Sequence, residues 1–63
     1  MAIQGLSNRR VLIIEDDPGL RGLLVRHLKE LGCLVDQASN GAEAREALNS
    51  GHTYDVVVAD IHL

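Results

Sequence analysis

A chain of 63 residues has room for one small domain, and a domain of that size buries only about 60% of the surface its unfolded chain exposes. Nine acidic residues against six basic ones leave a net charge of −3, which argues against nucleic-acid binding by this segment and against a polybasic membrane-surface role. The single cysteine, Cys33, cannot form an internal disulfide, and the absence of a signal peptide or an apolar run of transmembrane length makes a reducing cytoplasm the expected location and a membrane partner unexpected.

Residues 1–9 include Gly5, Ser7 and Asn8 without periodicity and are expected to form a flexible leader to a domain spanning 10–63. From Val11 the chain reads Val-Leu-Ile-Ile-Glu-Asp-Asp. An apolar run this short, rich in β-branched residues and apolar on both faces, is the pattern of a strand buried inside a parallel sheet. It ends in the acids Glu15, Asp16 and Asp17, just where a helical pattern begins. In open α/β sheets, the carboxyl edge of the strands is where sites are built.

Leu20, Leu23, Leu24, Leu28 and Leu31 then recur at helical spacing, with Arg21, Arg26, Lys29 and Glu30 opposite. Asp17 is placed to cap this helix, Pro18 to open it and Gly32 to close it. Gly19 and Gly22 weaken its first turns, which suggests a close approach of other backbone there. Cys33 to Ala38, interrupted by Asp36 and Gln37, suits an edge strand. Asn40 and Glu43 form a capping-box pattern ahead of a helix whose apolar stripe is Ala44, Ala47 and Leu48 and which ends at Gly51. Tyr54 to Asp60 reads as a second buried-type strand ending in an acid. With Tyr54 the sole aromatic residue, the core must come from Val, Leu, Ile and Ala.

The order strand, helix, strand, helix, strand makes a parallel α/β unit with two crossovers. If its two strongest strands are neighbours, Glu15, Asp16 and Asp60 converge. Clustered carboxylates raise one another's pKa unless a cation offsets them, and an all-oxygen donor set suits Mg²⁺. Two plainer alternatives stay open. The three acids at 15–17 also suit a helix N-terminus, where the macrodipole favours negative charge. His62 with Asp60 and Asp16 also allows a transition-metal site, although a single imidazole is a weak signature.

The stretches Val-Leu-Ile-Ile-Glu-Asp-Asp-Pro-Gly-Leu-Arg-Gly-Leu-Leu, Gly-Cys-Leu-Val-Asp-Gln-Ala-Ser-Asn-Gly-Ala-Glu-Ala and Tyr-Asp-Val-Val-Val-Ala-Asp-Ile-His-Leu resemble, in order and spacing, the receiver domain of bacterial two-component response regulators. The resemblance runs from about Arg10 to Leu63. It implies that Asp60 is the phospho-acceptor, that Glu15 and Asp16 hold Mg²⁺ together with Asp60 and the backbone carbonyl of His62, and that the donor is a sensor histidine kinase. It also implies a flavodoxin-like parallel sheet in the order 2-1-3-4-5, of which this β-α-β-α-β sequence supplies the first half.

The family's hydroxyl residue at the end of strand four, its lysine at the end of strand five and its switch aromatic have no counterpart here. Lys29 cannot replace that lysine, because it stands about 18 Å along the helix from Asp17 at 1.5 Å per residue. Phosphoryl transfer relies on positioning and on neutralising the charge of the transferred group. Phosphoryl uptake by this half-domain is therefore expected to be weak, and it is read as an acceptor rather than an enzyme. An unpaired apolar strand at 54–59 invites pairing with a second copy, so the half-sheet is expected to be completed as a homodimer. The competing reading is a structural half-module that dimerises without phosphotransfer.

Overall fold

The computed structural model describes residues 8–59; expectations that fall on residues 1–7 and 60–63 concern positions outside that range. The elements are β1 (Arg10–Ile14), α1 (Pro18–Glu30), β2 (Leu34–Ala38), α2 (Gly41–Leu48) and β3 (Val56–Ala59). The three strands are parallel in the order β2-β1-β3, which is the β-α-β-α-β half of a flavodoxin-like sheet.

The all-apolar stretch at 11–14 takes the central position, where its side chains tolerate burial on both faces, whereas β2 carries Asp36 and Gln37 and lies at the edge. Val11 and Ile13 pack with Cys33 against Leu24, Val25, Leu28 and Leu31 of the first crossover. Leu12, pointing the other way, packs with Ala38 and Ala44 against Ala47 and Tyr54. Alternation along the strand therefore puts α1 and α2 on opposite faces of the sheet. Ala44 is small enough to bring α2 close to Leu12.

Local chemistry sets the helix limits. Asp17 caps α1, its Oδ1 accepting from the amides of Gly19 at 2.9 Å and Leu20 at 3.4 Å, and Pro18 opens the helix. The helix closes in a Schellman arrangement. Gly32, at φ +89°, donates to the Lys29 carbonyl at 3.0 Å and Cys33 donates to the Leu28 carbonyl at 3.1 Å. Asn40 caps α2 by accepting from the Glu43 amide at 2.9 Å. The return bond of the expected capping box is displaced by one residue, since Glu43 Oε1 accepts from Ser39 rather than from Asn40.

Several expectations are corrected. Leu20 and Leu23 are exposed, as is Leu48, because helical spacing gives a broad stripe whereas the narrow half-sheet covers only its Leu24–Leu28–Leu31 side. A Cβ at Gly22 would meet nothing within 4 Å, so no close approach explains that glycine. The last strand begins at Val56 rather than Tyr54, because Asp55 donates its amide to the Arg10 carbonyl at 2.8 Å and accepts the Arg10 amide on its own carboxylate at 2.9 Å. Val56, Val57 and Val58 are 40%, 48% and 36% exposed rather than buried, since both helices pack over β1 and β2 and neither reaches β3. Asn8 and Arg9, within the expected leader, are tied to the sheet through Asn8 N–H to the Gly32 carbonyl at 2.9 Å and Leu34 N–H to the Arg9 carbonyl at 2.8 Å.

One polar side chain on β2 is held by a local network. Asp36 Oδ2 accepts from the Tyr54 hydroxyl at 2.6 Å and from Arg10 Nη1 at 3.1 Å. The Tyr54 bond, helped by the Arg10 charge, holds the Asp36 carboxyl below its ordinary value of 3.8, and the same bond pushes Tyr54 above 10.0. A lowered acid stabilises the fold above its ordinary pKa and loses that contribution as pH falls through the lowered value. A raised phenol stabilises the fold below its ordinary pKa and loses that contribution as pH rises through the raised value. Tyr54→Phe is expected to cost about 1 kcal/mol, the low end for a bond to a charged but part-exposed acceptor. Urea midpoints compared across pH should show that gap at neutrality and its shrinkage at the acid and alkaline extremes.

Candidate functional site

The carboxyl end of β1 is where the topology reverses, with β2 on one flank and β3 on the other, and such switch points are where doubly wound sheets bind ligands. Glu15 continues the strand, its amide donating to the Ala38 carbonyl at 3.0 Å, and its side chain is only 2% exposed. Glu15 Oε1 accepts the Asp17 amide at 3.2 Å. Asp16 lies beside it, exposed to solvent. Asp17, the third acid of the run, is committed to capping the helix. The plain helix-terminus reading thus holds for Asp17, whereas Glu15 is part of the buried strand end.

Sequence reasoning missed Arg21, which it left without a required role. Arg21 Nη1 donates to the Glu15 carbonyl at 2.9 Å and Nε donates to Gln37 Oε1, on β2, at 3.1 Å. The signal was its position, one turn after the cap, where its amide donates to the Asp17 carbonyl at 2.8 Å. Its charge also reaches the start of α2, contributing to a lowered Glu43 carboxyl whose main cause is the Ser39 amide bond.

Glu15 and Asp16 are the described members of the expected metal set. Asp60 and His62 lie outside the described residues, and among the described residues no group of three or more His, Cys, Asp and Glu gathers into a metal centre. Ala59 is paired with Ile14, so the residue before Asp60 and the residue before Glu15 stand opposite each other on adjacent parallel strands. A buried carboxylate beside an exposed one is an all-oxygen donor pair, which fits a hard divalent cation keeping several waters. A shallow hollow lined by Arg10, Lys29, Cys33 and Asp36 sits toward the amino end of β1 and takes no part in this corner.

A doubly wound parallel sheet with an acidic pair at its switch point defines the class, an α/β domain with its site at the carboxyl edge. The family model of the response regulator receiver domain matches residues 11–63, and the chain belongs to that family, which operates in two-component signalling. Receiver domains interact with sensor kinases, and the family generally binds Mg²⁺ at its phosphorylation site.

Among curated proteins the chain is 41% identical over 58 residues to the transcriptional regulatory protein TcrA of Mycobacterium tuberculosis, covering 92% of this chain and 22% of that protein. It is 38% identical over 53 residues to the sensor protein EvgS of Escherichia coli, covering 84% of this chain and 4% of that protein. It is 40% identical over 53 residues to the transcription factor SKN7 of Chaetomium thermophilum, covering 82% of this chain and 7% of that protein. The chain thus spans less than a quarter of each of these relatives. No solved structure matches it significantly. Among the described residues no helix is long and apolar enough to cross a membrane.

Asp17→Ala removes the cap while leaving the two carboxylates of the corner in place. It is expected to cost about 1 kcal/mol, read as a lowered urea midpoint with unchanged slope.

Proposed function

We propose that this chain is the acceptor of a phosphoryl group delivered by a sensor histidine kinase onto Asp60, with Glu15, Asp16, Asp60 and the backbone carbonyl of His62 holding Mg²⁺. The observation that carries the reading is the parallel pairing of Ile14 with Ala59, which starts the acids following each strand from one edge of the sheet. In the transfer, an Asp60 carboxylate oxygen attacks phosphorus as the bond from phosphorus to the donor imidazole nitrogen breaks. The aspartyl acyl phosphate forms and the imidazole leaves with the bonding pair, taking up a proton. Glu15 contributes a buried carboxyl group and Asp16 a solvent-facing one. Bound Mg²⁺ would neutralise charge on the phosphoryl oxygens. Uptake by the 63-residue chain alone is weak, since no lysine of this sequence reaches the corner, and the role is that of an acceptor domain rather than an enzyme.

Incubation with a small acyl phosphate and Mg²⁺, followed by intact mass, tests this. A gain of one phosphoryl group in the wild type, lost in Asp60→Asn, is the expected outcome. No gain in either leaves the second reading, a structural half-module without phosphotransfer.

The exposure of Val56, Val57 and Val58 on both faces of β3, beside an edge paired only to β1 among the described residues, favours completion of the sheet by a second copy in either reading. Light scattering at micromolar concentration should give the mass of a dimer, and Val57→Lys should shift it to the monomer. A compact wild-type monomer would contradict self-association.

A further inference from the structure

We propose that Arg21 is a positioning residue for the acidic corner, clamping the turn after β1 so that the Glu15 and Asp16 carboxylates are held ready for a divalent cation; this rests on the cation-holding role given to them above. The two bonds come from different nitrogens of one rigid guanidinium. Nη1 donates to the Glu15 carbonyl at 2.9 Å and Nε to Gln37 Oε1 at 3.1 Å.

The Glu15 carbonyl and the Asp16 amide share one planar peptide unit. Fixing that oxygen therefore fixes the direction in which the backbone enters Asp16. Gln37 supplies the anchor from β2, where it is paired in register with Ile13 of β1. The clamp thus ties the helix, the central strand and the edge strand together at the residue where the chain turns. On the other side of the turn, the Asp17 amide holds Glu15 Oε1 at 3.2 Å, so carbonyl and carboxylate of the same residue are each directed by a separate donor. Without such support, adjacent carboxylates would swing apart to reduce their repulsion.

Arg21 also brings a positive charge toward a site meant for a cation. That charge by itself disfavours metal binding, so positioning and charge predict opposite signs when it is removed. Lysine keeps the charge but cannot reproduce two bonds from a planar fork.

The test measures Mg²⁺ affinity by calorimetry, and in metal-free protein the hydrogen exchange of the Asp17 amide and the ¹³C shift of the Glu15 carbonyl, for wild type, Arg21→Gln and Arg21→Lys. Circular dichroism checks folding. Arg26→Gln is the control, since Arg26 is on the solvent face of α1, where it pairs with Glu30 at 3.4 Å. Both Arg21 variants are expected to weaken Mg²⁺ binding roughly tenfold, as loss of a group supporting a metal ligand does, and to speed Asp17 exchange, while Arg26→Gln changes neither. Tighter binding in Arg21→Gln with unchanged binding in Arg21→Lys would overturn the proposal and leave only a charge effect. A wild type that does not bind Mg²⁺ would defeat the cation reading itself. Arg21 is then judged by exchange and the carbonyl shift alone, and unchanged values in both variants would overturn the clamp.

Discussion

The two-sided burial of β1 is the constraint from which the rest of the structure follows. A strand paired on both edges and covered on both faces must be apolar throughout, and Val11, Leu12 and Ile13 meet that requirement with almost no exposed surface. Because its side chains alternate, one strand recruits two helices, Leu24 and Leu28 of α1 onto Val11 and Ile13, and Ala44 of α2 onto Leu12. Helices on opposite faces need a reversal of winding direction, and the reversal falls at β1. The position that needs the most apolar sequence is thus also the one whose carboxyl end opens onto a crevice.

The polar residues follow the same logic. Glu15 is the first residue past the ladder of β1 and remains buried, whereas Asp16 next to it is exposed. Burial of a carboxylate is costly unless donors or a cation compensate it, and the Asp17 amide supplies one donor. The cap at Asp17, the turn at Glu15 and the clamp from Arg21 form one connected unit, in which the start of α1 and the end of β1 each supply bonds to the other. At the opposite end of the sheet, Asp36 on the edge strand is compensated by Tyr54 and Arg10, so the polar interruption of β2 is satisfied where it occurs.

The third strand lies beyond the reach of both described helices. Its valines have the composition of a buried strand, but α1 and α2 are both used on β1 and β2. The apolar side chains of β3, together with Leu20 and Leu23 of α1, stay in contact with solvent in the single chain.

Element order, helix caps and the central place of Val11 to Ile14 were legible in the sequence, because capping, glycine closure and apolar runs are local in origin and depend on neighbours a few residues away. The acids at 15 and 16 were legible for the same reason, through the strand that ends in them. Three things were decided only by tertiary structure. Helical periodicity marked Leu20 and Leu23 as core, yet the width of the sheet decides which side of a stripe is covered. The run at 54–59 read as buried, yet burial depends on how many elements remain to pack against it. Arg21, in the first turn and near the site, had no required role. Only the crossing of α1 over the end of β1 brings its guanidinium to the Glu15 carbonyl and to Gln37 at once, the second a contact between residues sixteen apart in sequence.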